Sequence, residues 1–443
     1  MDTGTSKTPL RHSDQFVKMP QTSAPTSGWY YVYIIAFLVL LSAFGSFVND
    51  MYIPTLPDMV RAFHCSVPTV QLGLTFGMVG LGLGEIVLGP FSDQWGRKPV
   101  LIGSLVVFCA GAVCSVWSTT IHEFVWWRLV QGVGASGGYF LARTIPADMY
   151  QGRALAKVMA LVGAINGFAP ASAPVIGGFV ARSAGWKGIF WILAGFSVLL
   201  LLLTMIFRES LPKERRATGH FGIAFKNYAV LLRNRHFVVH TLLKGSALGM
   251  LFAYISSAPF IIQTHYGYTP AQFGLFMGFN AMFVAGGAML ALRFNPLKKG
   301  AVLAGRILFV IAAGQLVCLL RVDNVWVYEA WNVLMIFCMG MLFTVANTLA
   351  MNEGRDCAGD ASALVGLAGY IFGAVASPLV GIGNVLHSTA VTMMVLACLT
   401  LVFTHITRVL PPDLIATPQS ATGTGTPHLP QQNNDTTTND TEK

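Results

Sequence analysis

Twelve runs of roughly twenty apolar residues, the length that crosses a bilayer, leave this chain little choice of solvent. They lie near residues 30–54, 69–90, 99–117, 121–147, 154–182, 187–207, 237–262, 270–293, 301–320, 326–350, 360–385 and 388–408. A hydrocarbon core about 30 Å thick is spanned by about 20 residues rising 1.5 Å each. Each run therefore predicts a membrane-spanning helix. Composition agrees, since 54% of the 443 residues are hydrophobic and 11% charged. A soluble domain carries about 25% charged residues, so this chain cannot clothe a water-facing surface. The expected fold class is an all-α membrane protein with twelve transmembrane helices.

The longest interruption, 208–236, holds Arg208, Lys213, Arg215, Arg216, Lys226, Arg233 and Arg235 and divides the spans six and six. Two halves of equal span number point to a transporter built from repeats, with substrate handled where the halves meet. The expected organisation is a tail at 1–28, a six-helix bundle at 29–207, a linker at 208–236, a second bundle at 237–410 and a disordered tail at 411–443. Lys and Arg crowd alternate loops, which predicts both termini on the cytoplasmic side. The net charge of +9 is accordingly a topology signal and implies no nucleic-acid partner. No cleavable signal peptide is expected, because the first apolar run is too long for one. The seven cysteines, 65, 109, 114, 318, 338, 357 and 398, show no metal-ligand or disulfide spacing and read as small hydrophobes.

Ionisable groups inside a span are functional candidates by default. Asp50 falls late in span 1, roughly 7 Å below the outer surface at 1.5 Å per residue, and Arg128 falls at similar depth in span 4. Opposite charges at matching depth in one half suit either a shared cavity or a structural ion pair. A carboxylate there can change protonation with its surroundings, as proton-coupled transport requires. Glu85 in span 2 and Lys244 in span 7 overlap in depth on the inner side, where they would pair across the halves unless Lys244 snorkels to the interface.

Between spans 2 and 3 the run Gly89-Pro90-Phe91-Ser92-Asp93-Gln94-Trp95-Gly96-Arg97-Lys98-Pro99 predicts a tight, charged reversal. Gly96 permits positive φ, and Asp93 suits pairing with Arg97 or a helix start. Span 5 carries Gly163, Gly167, Pro170, Pro174, Gly177 and Gly178, which predict bending and close helix contact. Gly134-Ala135-Ser136-Gly137-Gly138 fits G-x-S-x-G and raises a remote alternative, an intramembrane serine protease. A serine nucleophile needs a base in reach, however, and His240 and His405 fall near the ends of other spans. Neither a metalloprotease H-E-x-x-H nor a phosphate-binding P-loop is present. No enzyme is expected, and an ion gradient is the natural energy source.

Together these features resemble the major facilitator superfamily, in particular its twelve-span drug:proton antiporter branch. The loop 89–99 resembles that superfamily's signature between spans 2 and 3, and Arg128-Leu129-Val130-Gln131-Gly132 resembles the span 4 signature. Ala169-Pro170, Pro174 and Gly177-Gly178 resemble the antiporter signature of span 5, with Ala-Pro in place of Gly-Pro. Closer still is the Bcr/CflA group of multidrug exporters with the related MdfA type. That likeness rests on Asp50-Met51-Tyr52-Ile53-Pro54-Thr55-Leu56-Pro57, on Ala142-Arg143 through Asp148, and on Phe252 to Phe260.

The resemblance implies a major facilitator fold of two six-helix bundles and export of drugs or other small amphipathic compounds in exchange for protons. It implies a monomer in the bacterial inner membrane, driven by the proton gradient without a cofactor or metal. Asp50 would exchange the proton and meet substrate, Arg128 would couple protonation to movement, and Glu85 is a further proton-coupling candidate. Tyr139, Tyr254, Phe276, Asn280 and Tyr370 would line the cavity with Asp50, chosen by position in spans 4, 7, 8 and 11. Gly89, Asp93, Gly96 and Arg97 would form a cytoplasmic latch, and Gly167, Pro170, Pro174, Gly177 and Gly178 the bend of the antiporter helix. MdfA-type proteins carry a second acid two turns before Asp50, where Ser42 stands here. Proton-coupled uptake of a nutrient would use the same fold and is the alternative.

Overall fold

In lipid every backbone polar group must find its partner within the chain, and the apolar runs accordingly become helices. The computed structural model describes residues 28–216 and 222–410. The expected tails, apart from Gly28, and residues 217–221 of the linker lie outside them. Four helices open the chain: α1 (Trp29–Asp50), α2 (Val67–Trp95), α3 (Arg97–Trp117) and α4 (Ile121–Met149). Next comes α5, Gly152–Ile206, whose 55 residues would stretch about 83 Å at 1.5 Å per residue. That is enough for two crossings, and its one non-helical residue, Gly185 (φ 62°), folds it back between them. Spans 5 and 6 are therefore one element reversed at a glycine. Pro170 and Pro174, expected to bend span 5, sit inside continuous helix.

The linker contains α6 (Gly222–Arg233). Six more helices follow: α7 (Arg235–Pro259), α8 (Pro270–Ala291), α9 (Leu297–Arg321), α10 (Val325–Glu353), α11 (Ala358–Leu379) and α12 (Val385–Val409). With α5 long enough to cross twice, the long helices other than α6 provide twelve segments of spanning length among the described residues. Helix α4 qualifies by its 29 residues, although Glu123, Arg128 and Arg143 lower its hydropathy.

Two of the boundaries that differ from expectation have a plain local cause. Span 1 does not run through residue 54. Helix α1 ends at Asp50 and gives way to a turn, a 3-10 segment Ile53–Thr55 and a short helix Leu56–Ala62. Pro54 lacks the N–H that would bond the Asp50 carbonyl, so the helix stops there. The reversal expected over 89–99 shrinks to Gly96 alone (φ 102°). Gly89 and Asp93 belong to the last turns of α2, which accepts Pro90 in its interior.

Within the first half α2 and α4 pack through glycine. A side chain at Gly80 would collide with the Leu129 carbonyl, and one at Gly132 with that of Gly77, a close approach that only small residues allow. Helices α2 and α11, and likewise α5 and α8, carry the contact between halves. There Gly274 faces the Pro174 carbonyl and Gly178 that of Pro270.

Candidate functional site

Ending α1 at Asp50 places this carboxylate, partly buried, where the chain leaves the helix. Arg128 is fully buried, held against α2 because Gly77 has no side chain to fill its space. Its guanidinium does not pair with Asp50. Nη1 donates to Gln131 Oε1 at 2.7 Å, Nη2 to the Val48 carbonyl at 3.3 Å and Nε to the Gly73 carbonyl at 3.4 Å. Its carbon centre lies 4.4 Å from the Tyr52 ring centroid. Gln131 in turn donates to Ser115 Oγ and the Gly111 carbonyl of α3. Each nitrogen of Arg128 thus meets a neutral acceptor, and among the described residues Asp50 has no ion-pair partner.

Deeper along the bundle, Glu85 of α2 pairs with Arg143 of α4 at 3.4 Å, and their side chains are 8% and 37% exposed. Arg143 stacks on Tyr139 at 4.4 Å, and Tyr139 leans on α1 where Gly45 lacks a side chain. Across the interface, Tyr370 of α11 meets Gly82, and Glu85 faces Gly366. Lys244 donates to Asn347 Oδ1 at 2.8 Å rather than to Glu85, so of the two readings left open the cross-half ion pair is absent among the described residues. Lys244 neighbours Glu85 without reaching ion-pair distance, and the like charge of Arg143 stands nearby. The exposed part of the Arg143 side chain is reached by solvent, while the Glu85 side chain beside it is largely buried. This cluster joins Tyr139 and Tyr370, expected around the cavity, with Glu85.

The remaining expected cavity residues lie elsewhere in the second half. Asn280 of α8 donates to Tyr254 Oη of α7 and to Glu329 Oε1 of α10, both at 2.6 Å. All three are nine-tenths or more buried. Phe276 packs edge-on to Tyr268 and near Trp326, on a groove between α8 and α10.

Hydrogen bonds between the halves gather at the end where α1 finishes. Gln71 Nε2 donates to the Ser256 carbonyl at 3.0 Å, Thr75 Oγ1 to that of Ala374 at 2.9 Å and Gln263 Nε2 to that of Pro54 at 2.9 Å. The glycine contacts between α5 and α8 lie at the same end. The bundle is sealed there.

A family model described as the Major Facilitator Superfamily matches residues 32–378. The chain belongs to this superfamily. It is a transporter of small molecules and a multi-pass membrane protein, not an enzyme. Over 368 residues, 81% of this chain and 90% of the relative, it is 35% identical to the uncharacterized MFS-type transporter YdgK of Bacillus subtilis (strain 168). It is 26% identical over 355 residues to the bicyclomycin resistance protein homolog of Haemophilus influenzae, covering 79% and 89% of the two chains. In fold it matches a bacterial homolog of the human lysosomal transporter Spinster, crystallised inward-facing and occupied. The TM-score is 0.70 at 14% identity over 86% and 98% of the chains.

In this facilitator the expected latch residues meet partners that the sequence did not reveal. Arg97, 5% exposed, bonds Asp148 Oδ2 at 2.8 Å and Ser92 Oγ at 2.6 Å besides Asp93. Glu209 accepts from the Arg97 and Lys98 amides and fills the space a side chain at Gly96 would need. Gly167 faces open space, whereas Gly177 abuts the Met51 carbonyl, just beyond Asp50. Ser136, the serine of the protease alternative, bonds the Val133 carbonyl of its own helix and is pressed against Gly84. Glu329 was missed altogether. An acid inside an apolar run is signal enough, but its place one turn into 326–350 reads as interface.

Proposed function

We propose that this facilitator exports small amphipathic compounds, drugs among them, from the cytoplasm in exchange for protons. Asp50 is the proton-exchanging group. The observation that carries the reading is an acid at the sealed end of α1, partly buried and without a cation, two residues from the Val48 carbonyl that Arg128 holds. An acid bound in a permanent ion pair is locked in its charged form, whereas this one is free to exchange a proton. Its relatives support the direction of transport, since they include proteins named for bicyclomycin resistance and, in Escherichia coli (strain K12), multidrug resistance protein D.

In the sealed state substrate enters from the end opposite the seal and reaches Tyr139, Tyr370, Glu85 and Arg143. Opening of the seal exposes Asp50 to the outside, where protonation releases substrate and permits the return. One charge crossing 100 mV is worth about 2.3 kcal/mol, so a proton per cycle supports a useful gradient. No cofactor is needed. Both termini lie in the cytoplasm and the membrane is the bacterial inner membrane.

The test is drug susceptibility of a pump-deficient bacterium expressing wild type, Asp50→Asn or Asp50→Ala at equal membrane levels, with compounds from neutral to cationic. Resistance from wild type that both variants lose is the expected result. Equal protection by all three would remove Asp50 from the mechanism. No protection at all, with pH-driven accumulation in right-side-out vesicles, would turn the reading to uptake.

A further inference from the structure

We infer that the second half holds a separate binding site for lipophilic monocations, entered from the lipid, with Glu329 as its counter-charge. Over their first turns α8 and α10 part to leave a groove of about 790 Å³, within the range of about 300–1,000 Å³ typical of small-molecule sites. Its lining includes Tyr268, Phe276, Phe279 and Trp326, together with Glu329. Phe279 and Trp326 are 51% and 65% exposed, facing outward from the bundle.

Glu329 is 5% exposed, and its carboxyl is only partly hydrogen-bonded. Oε1 accepts from Asn280, while Oε2 has no hydrogen bond of acceptable geometry, although Asn332 stands close. Among the described residues no cation lies within ion-pair distance of it. The first half provides the contrast. Arg128 and Gln131 sit three apart near the start of the fourth span and brace against Ser115 of the span before. Glu329 and Asn332 sit three apart near the start of the tenth, and Asn332 accepts from Gln315 of the ninth. The two pairs share their spacing and a brace to the preceding span, with opposite sign of charge. Each nitrogen of Arg128 has a neutral acceptor built in; Glu329 has one donor of good geometry, on Oε1 alone.

An isolated buried carboxylate is costly, and a ligand bearing a positive charge supplies what the fold omits. The aromatic walls favour a delocalised or quaternary cation with a flat apolar body. A hard metal ion would need several oxygen ligands, and Glu329 is the one carboxylate on the groove. A lipid acyl chain would cover the aromatics but leave the charge unmet. The inference goes beyond the export reading and does not depend on it, because binding is measured without a gradient.

The test uses purified full-length protein in nanodiscs and radiolabelled tetraphenylphosphonium, with uncharged triphenylphosphine oxide as competitor. Glu329→Gln should weaken tetraphenylphosphonium binding at least tenfold and leave weak binding of the oxide unchanged, while Asp50→Asn retains a site. As a second measurement, Phe279→Cys in a chain without native cysteines reports the groove even if Glu329→Gln misfolds. Tetraphenylphosphonium should protect that cysteine from a maleimide, and the oxide should not. Wild-type binding by Glu329→Gln, loss of all binding in Asp50→Asn, or equal protection by both compounds, as a lipid-like groove would give, overturns the inference.

Discussion

Filling the glycine contact between α5 and α8 should open the sealed end. A methyl placed on Gly274 would lie 2.5 Å from the Pro174 carbonyl oxygen, whereas ordinary C–H···O contacts sit at about 3.3–3.6 Å. The helices must retreat by roughly 0.8 Å to reach that range. Overpacking of this kind costs about 1–3 kcal/mol. The contact joins two halves that separate when the seal opens, so the cost falls on the closed state. A bias of that size shifts the ratio of open to closed molecules roughly 5- to 150-fold. Gly178→Ala, directed at the Pro270 carbonyl, should act in the same sense. Ser377, fully buried near the seal, serves as reporter when replaced by cysteine in a chain without native cysteines. Its labelling rate by an impermeant maleimide added outside tracks the open fraction and should rise by that factor. Gly195→Ala, where an added methyl meets nothing within 4 Å, should leave the rate unchanged. Wild-type labelling in Gly274→Ala and Gly178→Ala at normal insertion would show that the contact survives in both states, and the reasoning would fail.

Truncating Arg97 to alanine strands Asp148, whose side chain is 12% exposed. Removing one partner of such a buried pair costs about 3–5 kcal/mol and should appear as a large fall in thermal unfolding temperature in detergent. Asp93→Asn, at a side chain 52% exposed, should cost less than about 1 kcal/mol, and a loss equal to that of Arg97→Ala would refute the ranking. Ser136→Ala removes a hydroxyl that serves only its own helix, so resistance and vesicle transport should persist. Abolished activity at normal expression would revive the nucleophile.

The spans were legible because lipid fixes their length and forbids unsatisfied backbone, and those two constraints act on each run independently. Less legible was where a helix stops inside a span. Pro54 ends α1 four residues earlier than its hydropathy suggests, and hydropathy carries no record of a missing N–H. The loop over 89–99 erred in the opposite sense, since α2 tolerates Pro90 and leaves only Gly96 to make the turn. Helix faces were hardest to read. In water an apolar stripe points to the core, but here lipid and neighbouring helices are both apolar, so the sequence does not separate Tyr370, at the interface of the halves, from Phe276, on the outer groove. The donors of the seal stayed hidden for a related reason. Gln71 and Gln263 reach main-chain carbonyls, which every residue possesses.

That choice of acceptor has a consequence for how such a protein can change over generations. A clasp made from two complementary side chains requires paired substitutions, because altering one orphans the other. Here Ser256, Ala374 and Pro54 contribute only their backbone oxygens to Gln71, Thr75 and Gln263. Apart from Pro54, whose ring also ends α1, and Ser256, whose hydroxyl bonds the Ser377 carbonyl, the clasp asks only that the backbone keep its path. Each neutral bond is worth about 0.5–1.5 kcal/mol and is insensitive to ionic strength, so the clasp closes alike in fresh or saline surroundings. Losing or gaining one such donor adjusts the resting balance of conformations in small steps, without rebuilding either half.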